Sequence, residues 1–206
     1  AQDLAALASQ HPRLWLIRFG NPAEYDPQGL LPRWLATHGS KAYFDGWVDA
    51  DLSLYVMAPA GDTGTAQHPM RVDLGDQVRL LGYTLSADQV APGETLLLTL
   101  YWQALSSIPE RYTVFTHLLD GSERIVAQVD SEPQGGGLPT DRWSAGQVVQ
   151  DNYALAVDPD ASAGPHVVEV GMYLLPTLDR LPVRDADSGA PLGDRILLGS
   201  VEVVTP

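Results

Sequence analysis

Period-two alternation dominates the chain beyond its first third. In the run 95–104 the residues Leu96, Leu98, Leu100 and Trp102 share one side and Leu97, Thr99, Tyr101 and Gln103 the other, because successive strand side chains point to opposite faces. The first set reads as core. Val168, Val170, Met172 and Leu174 oppose Val167, Glu169, Gly171 and Tyr173 in the same manner, and Val149, Tyr153, Leu155 and Val157 oppose Gln150, Asn152 and Ala154. The pattern predicts strands over 78–86, 95–104, 112–119, 124–130, 148–157, 166–175 and 196–204, with a short one at 181–184. Turn signals separate them: Pro92-Gly93, Asp120-Gly121-Ser122, Gly135-Gly136-Gly137, Gly164-Pro165 and Asp187-Ser188-Gly189. Many short strands joined by such turns indicate a mainly β protein, an antiparallel β-sandwich of jelly-roll or immunoglobulin-like type. The run 112–119 is apolar on both faces apart from Thr113, Thr116 and His117. That predicts a central strand covered by more protein, and the N-terminal segment is the expected cover.

Residues 1–59 follow a different grammar and read as a partial α/β segment packed on the sandwich. Leu4, Leu7 and Ala8 have helical spacing, and 14–19 (LWLIRF) is a short apolar strand. Asp26-Pro27 offers an N-cap with Pro at the first helical position. Pro32 conflicts with that start, so either 27–29 is a separate turn or the helix begins with Pro32 and runs to His38, where Gly39 stops it. Two strands, 42–48 and 52–57, follow around an Asp49-Ala50-Asp51 turn. The small, polar, turn-rich stretch from Ala58 sets a linker at 60–70, leaving 71–206 as the sandwich domain.

Charge narrows the function classes. With 12 basic against 26 acidic residues the net charge is −14, the wrong sign for tracking phosphates, so nucleic acid is not an expected partner. No uncharged stretch reaches the roughly 20 apolar residues of a membrane helix. The absence of cysteine removes disulfides, thiolate catalysis and Cys-ligated zinc together. The chain opens at Ala1 without Met or a signal-peptide pattern, so it reads as an excised piece of a longer protein.

Candidate chemistry is sparse. There is no GxxxxGK, HExxH, GxSxG or GxGxxG motif, and the five histidines have no partners at metal-ligand spacing. Asp185-Ala186-Asp187-Ser188-Gly189 resembles the start of a calcium loop but has Ala190 and Ile196 where such a loop needs Gly and Glu. No catalytic residue, cofactor or tightly bound metal is therefore expected. The residues with most functional colour are Tyr101, Gln103, His117 and Tyr173. Projecting from one surface, they would offer flat rings beside planar hydrogen-bonding groups able to stack on a sugar, with Trp143 as a rim. The competing reading places them under the N-terminal segment as an interdomain interface.

Three strings carry a family likeness: Val78-Arg79-Leu80-Leu81-Gly82-Tyr83, then Pro92 to Ala104 (PGETLLLTLYWQA), then Tyr112 to Asp120 (YTVFTHLLD). Together with Pro139-Thr140, Trp143, 146–151, Tyr153, Val170-Gly171-Met172-Tyr173 and Arg180-Leu181-Pro182-Val183, they resemble the C-terminal β-sandwich of bacterial multi-spanning glycosyltransferase-like proteins of the dolichyl-phosphate-mannose mannosyltransferase-like type. The likeness covers 73–204, and 5–59 is similar to the end of the soluble α/β unit that precedes the sandwich there. It implies an extracytoplasmic location, membrane anchorage through upstream segments, and the protein's own membrane-embedded region as partner. The family's catalytic acids lie in loops beside early membrane helices, so none can be carried over. The expected function is a non-catalytic accessory domain that binds glycan or lipid-linked sugar; the alternative is a structural or assembly module without a small ligand.

Overall fold

The computed structural model describes residues 2–57 and 65–204. The N-terminal unit comprises α1 (Gln2–Gln10), β1 (Arg13–Phe19), α2 (Pro22–Tyr25), α3 (Leu30–His38), β2 (Gly39–Gly46) and β3 (Ala50–Met57). Its three strands form an antiparallel sheet in the order β1-β3-β2. Leu35, Tyr55 and Met57 are buried between sheet and helices, with Ala8, Leu14, Leu16, Leu31 and Trp34 packed around them. The two readings of the α3 start are reconciled by Asp26, whose carboxylate accepts the Leu30 and Leu31 N–H groups at 2.8 and 3.1 Å. Residues 26–29 form a turn, and the helix starts at Leu30. Pro32 then falls in the first turn, where a missing N–H costs nothing. The short α2 escapes the hydrophobic pattern because it buries no residue; it is set by Asn21, which caps the Ala23 N–H at 3.1 Å.

The sandwich consists of β4 (His68–Leu74), β5 (Val78–Leu85), β6 (Gln89–Val90), β7 (Thr95–Ala104), β8 (Tyr112–Leu119), β9 (Ile125–Ser131), β10 (Val148–Ala156), β11 (Gly164–Leu174), β12 (Asp179–Arg180), β13 (Val183–Asp185), β14 (Pro191–Gly193) and β15 (Ile196–Val203). One sheet runs β10-β7-β5-β4-β13-β14, the other β6-β15-β11-β8-β9 with β12 attached to β11. The pairings are antiparallel except β6 with β15. Of the range read as linker, 60–64 lies outside the described residues, and His68 already opens β4. That strand's polar start hides it from a hydrophobic pattern, but the His68 ring stacks on Tyr83 at 4.7 Å.

Between the sheets the alternation holds residue by residue. Leu96, Leu98, Leu100 and Trp102 from one sheet meet Val168, Val170 and Met172 from the other, each at most 1% exposed. Enclosure of this kind contributes roughly 1.5–3 kcal/mol per large aliphatic side chain.

The N-terminal unit does not cover β8, as the sequence pattern suggested. Its α3 and β2 pack on β10, the edge strand of the other sheet. The attachment is specific: the Asn152 side-chain amide on β10 donates to the Ala36 and Thr37 carbonyls at the end of α3, each at 3.1 Å, and accepts from Thr99 at 2.8 Å. The helix thus has two of its four orphan carbonyls satisfied by the sandwich. The outer face of β8 is instead covered by the chain that leaves β11. Phe115 lies across Gly171, where a Cβ would collide with its ring, and the Arg180 guanidinium sits 4.3 Å above the ring centroid. Sequence periodicity reports that a face is covered and is silent on what covers it.

Candidate functional site

The five residues singled out from the sequence do not form one surface. Tyr101 and Gln103 are on the outer face of β7, whereas His117 and Tyr173 are on the outer faces of β8 and β11, in the opposite sheet. Outward faces of two packed sheets look away from each other across a core about 10 Å thick. Tyr101 is, moreover, 3% exposed. Trp143 is no rim either: it is buried in the core, and its indole N–H donates to the Leu138 carbonyl at 2.9 Å. What remains of the set is the pair His117 and Tyr173.

These two belong to a polar chain on the outer face of the second sheet. The register places Glu169 opposite His117, and Gln128 opposite His117 on its other side. His117 Nδ1 lies 3.1 Å from Glu169 and its Nε2 3.4 Å from Asp130. The Tyr173 hydroxyl donates to Asp130 at 3.2 Å, while Arg195 donates to Glu169 at 2.7 Å and to Glu123 at 2.9 Å. Burial works against charge on the imidazole, yet hydrogen bonds with Asp130 and Glu169 outweigh it, and His117 holds its proton above the ordinary value of 6.5. The ring is therefore fixed between two carboxylates on opposite sides. Its nitrogens point apart, and among the described residues no group of three potential ligands converges on a metal position.

Chemically this is an ion network on the outer face of the second sheet, with His117 and Glu169 buried within it and Asp130 and Glu123 at its exposed ends. Among the described residues, Glu123, Arg195, Glu169, His117 and Asp130 each have a partner within this network. What the network turns outward is the half-exposed Tyr173 ring beside the exposed Asp130, with the exposed Gln128 further along β9, level with His117.

One buried group that the sequence reading counts among acids near strand ends, and leaves out of the inward series, is Asp151. It stands in the inward series Val149, Asp151, Tyr153, Leu155 and is fully buried. Its carboxylate accepts the Gln134 backbone N–H at 2.7 Å and the Tyr153 hydroxyl at 2.5 Å. The Trp102 indole N–H is close enough to favour the ionised form but makes no hydrogen bond of good geometry. Burial dominates these contacts and lifts the carboxyl from 3.8 to about 6. The same enclosure drives the Tyr153 hydroxyl well above its ordinary value, helped by the Asp151 charge. A single acid inside an otherwise apolar alternating series was the available signal. Its placement holds the turn at Pro133–Gly136 against the edge of the sandwich.

Two further features lie in the N-terminal unit. One face of the small sheet carries Trp15, Ile17 and Phe19 from β1 and Tyr43 from β2, which are 57, 55, 69 and 46% exposed. The register sets the half-buried Leu52 and Leu54 of β3 between them. On the helical side, an apolar groove of about 610 Å³ opens between Leu4, Tyr25, Leu30, Leu31 and Trp34, with Arg18 at its wall. Arg18 is held by Asp51 at 2.9 Å.

Among the described residues no helix is long and apolar enough to cross a membrane. No family model matches the chain, and no curated protein matches it. Solved structures similar to it include the C-terminal domain of wzt, at 11% identity and a TM-score of 0.45 over 69% of this chain and 84% of that one. The CARDB domain of the PF1109 protein from Pyrococcus furiosus, in complex with di-metal ions, is similar at 9% identity and a TM-score of 0.35, covering 69% of this chain and 97% of that one. A β-glucosidase from Listeria innocua is similar at 15% identity and a TM-score of 0.36, over 60% of this chain and 16% of the enzyme.

Proposed function

We propose that this chain is a non-catalytic accessory module that joins a rigid β-sandwich to further protein through the open face of its N-terminal sheet. The observation that supports the reading is the one-sided covering of that sheet: α1 and α3 bury one face, while Trp15, Ile17, Phe19 and Tyr43 stand exposed on the other. Large apolar side chains clustered and exposed on one face of a folded domain mark an interaction site. The occupant is the remainder of an α/β layer from the same polypeptide, since a sheet apolar on both faces is built for two covering layers. In the extracytoplasmic, membrane-anchored parent that the sequence resemblance implies, this contact links the sandwich to the membrane-embedded region.

Replacing Trp15, Ile17 and Phe19 together by Ser tests the proposal. In the isolated chain the variant keeps its sandwich unfolding midpoint and loses the tendency to aggregate. In the full-length protein it exposes the β1 amides to hydrogen exchange, whereas the native face is protected. Equal exchange in both full-length proteins, or a defined dimer of the isolated native chain, overturns the choice of occupant.

A second reading, glycan recognition, is favoured by the half-exposed Tyr173 ring beside Asp130. Tyr173→Ala then abolishes saturable sugar binding in calorimetric titration without unfolding the sheet, since the ring is half exposed. Absence of sugar binding by the native chain eliminates this reading and leaves the first intact.

A further inference from the structure

A pocket of about 160 Å³ opens at the seam where the N-terminal unit meets the sandwich, lined among others by Lys41, Ser131, Gln134, Gly135, Asn152 and Tyr153. We propose that this pocket binds an oxyanion group, a carboxylate or a phosphate, with the Lys41 ammonium as its counter-charge. The proposal is independent of the assembly function above.

The first support is charge placement. Lys41 is the single lysine in a chain with 26 acidic residues, and an isolated cation in such a chain would ordinarily find a carboxylate. Among the described residues it makes no ion pair. The carboxylates around the seam are each committed elsewhere. Asp51 is held by Arg18 at 2.9 Å, Glu132 by a two-pronged contact from Arg111 at 2.7 and 2.5 Å, and Asp151 lies beneath the wall on Gln134 and Tyr153. The ammonium faces the rings of Phe44 and Tyr55 at 5.8 and 6.0 Å. Partial desolvation and repulsion from Arg18 lower its pKa, with Asp51 opposing them. An anion entering the pocket supplies the missing countercharge, and charge-assisted hydrogen bonds of this type are the strong ones.

The second support is how the chain keeps this space open. Gln134 and Gly135 adopt left-handed φ values of 55 and 61°, which for a non-glycine such as Gln134 is uncommon and held here by the Gln134 N–H bond to buried Asp151. The turn brings bare backbone under the lysine: a Cβ on Gly135 would stand 3.8 Å from both Cε and Nζ of Lys41. No side chain intervenes there. The volume corresponds to about five waters at the liquid share of roughly 30 Å³ each, enough for a phosphate or the acidic end of a sugar ring and too small for a helix or a lipid chain.

The sole lysine makes the test clean. Reductive ¹³C-methylation keeps the charge and labels only Lys41 and the α-amine, so one NMR signal reports the pocket. At constant ionic strength, inorganic phosphate, glucuronate or both shift that signal saturably, and neutral glucose does not. A response to phosphate alone assigns a phosphate ligand, and a response to glucuronate alone a carboxylate. By calorimetry on the unmodified chain, Lys41→Gln weakens binding by about tenfold or more, with the unfolding midpoint little changed because the ammonium makes no ion pair among the described residues. No saturable shift with either anion, or equal affinity in Lys41→Gln, overturns the proposal.

Discussion

Trp102→Ala loses about 3–5 kcal/mol of stability in chemical denaturation, the range for deleting a fully enclosed aromatic side chain. The indole is 0% exposed and belongs to the inter-sheet core. Its strand β7 lies between β10 and β5, with Val149 and Leu80 in register with Trp102 on either side. Both neighbouring strands are fixed by their own ladders, so the site collapses poorly around the vacancy, and the cavity term adds to the transfer term. Trp102→Phe separates volume from polarity. It keeps most of the packing and removes an indole N–H that has no hydrogen-bond partner, so its loss is much smaller. A cost below about 1 kcal/mol for the Ala variant, typical of a surface position, would contradict the inward phase of β7.

Asp151→Asn becomes more stable than the parent chain as pH rises, by about 3 kcal/mol above pH 6. The sign follows from proton binding. The folded carboxyl titrates at about 6 and the ordinary value is 3.8, so between these values the folded state keeps a proton that the unfolded state has released. Stability therefore falls as pH rises through this window and is lost in full above the folded pKa, the opposite of an ion-paired aspartate. A difference of roughly two units corresponds to about 3 kcal/mol. Asn is neutral throughout and retains a carbonyl for the Gln134 N–H, and the Tyr153 hydroxyl can turn to accept from its amide. The two proteins should be nearly equal in stability at pH 4 and diverge up to pH 6. His117, whose pKa is raised above 6.5, also loses stabilisation as pH rises, but at higher pH and equally in both proteins, so it cancels in the difference. Paired denaturation series from pH 4 to 8 measure the divergence. A variant less stable by a constant amount at every pH would show instead that the charge is not the cost and that the hydrogen bonds at Asp151 dominate.

Both results bear on how this chain encodes its structure. Parity along a strand is a local property, because consecutive side chains alternate whatever the neighbours are. Leu96 to Trp102 and Val168 to Met172 could therefore be assigned to a core before any strand order was known, and the turns that separate the strands are equally local, set by Gly, Pro and Asp. The resemblance to an extracytoplasmic sandwich rests on the same core and turn positions, which specify a fold and carry no chemistry.

Sheet membership is not local. Whether Tyr101 and His117 look the same way depends on which strands hydrogen-bond, and β7 and β8, adjacent in sequence, pass into different sheets. The five-residue surface dissolved for that reason. The position of the N-terminal unit has the same origin: its docking on β10 depends on Asn152 meeting the end of α3, a contact between residues more than a hundred positions apart. The seam pocket is a consequence of that docking. Lys41, Gln134 and Tyr153 come from three separate parts of the chain, and no spacing rule relates them. Asp151 lies between the two cases. Its inward direction follows from parity, while its raised pKa requires the closed layer of Trp102, Tyr153 and the 133–136 turn above it, since the cost of burying a charge is set by what surrounds it in three dimensions.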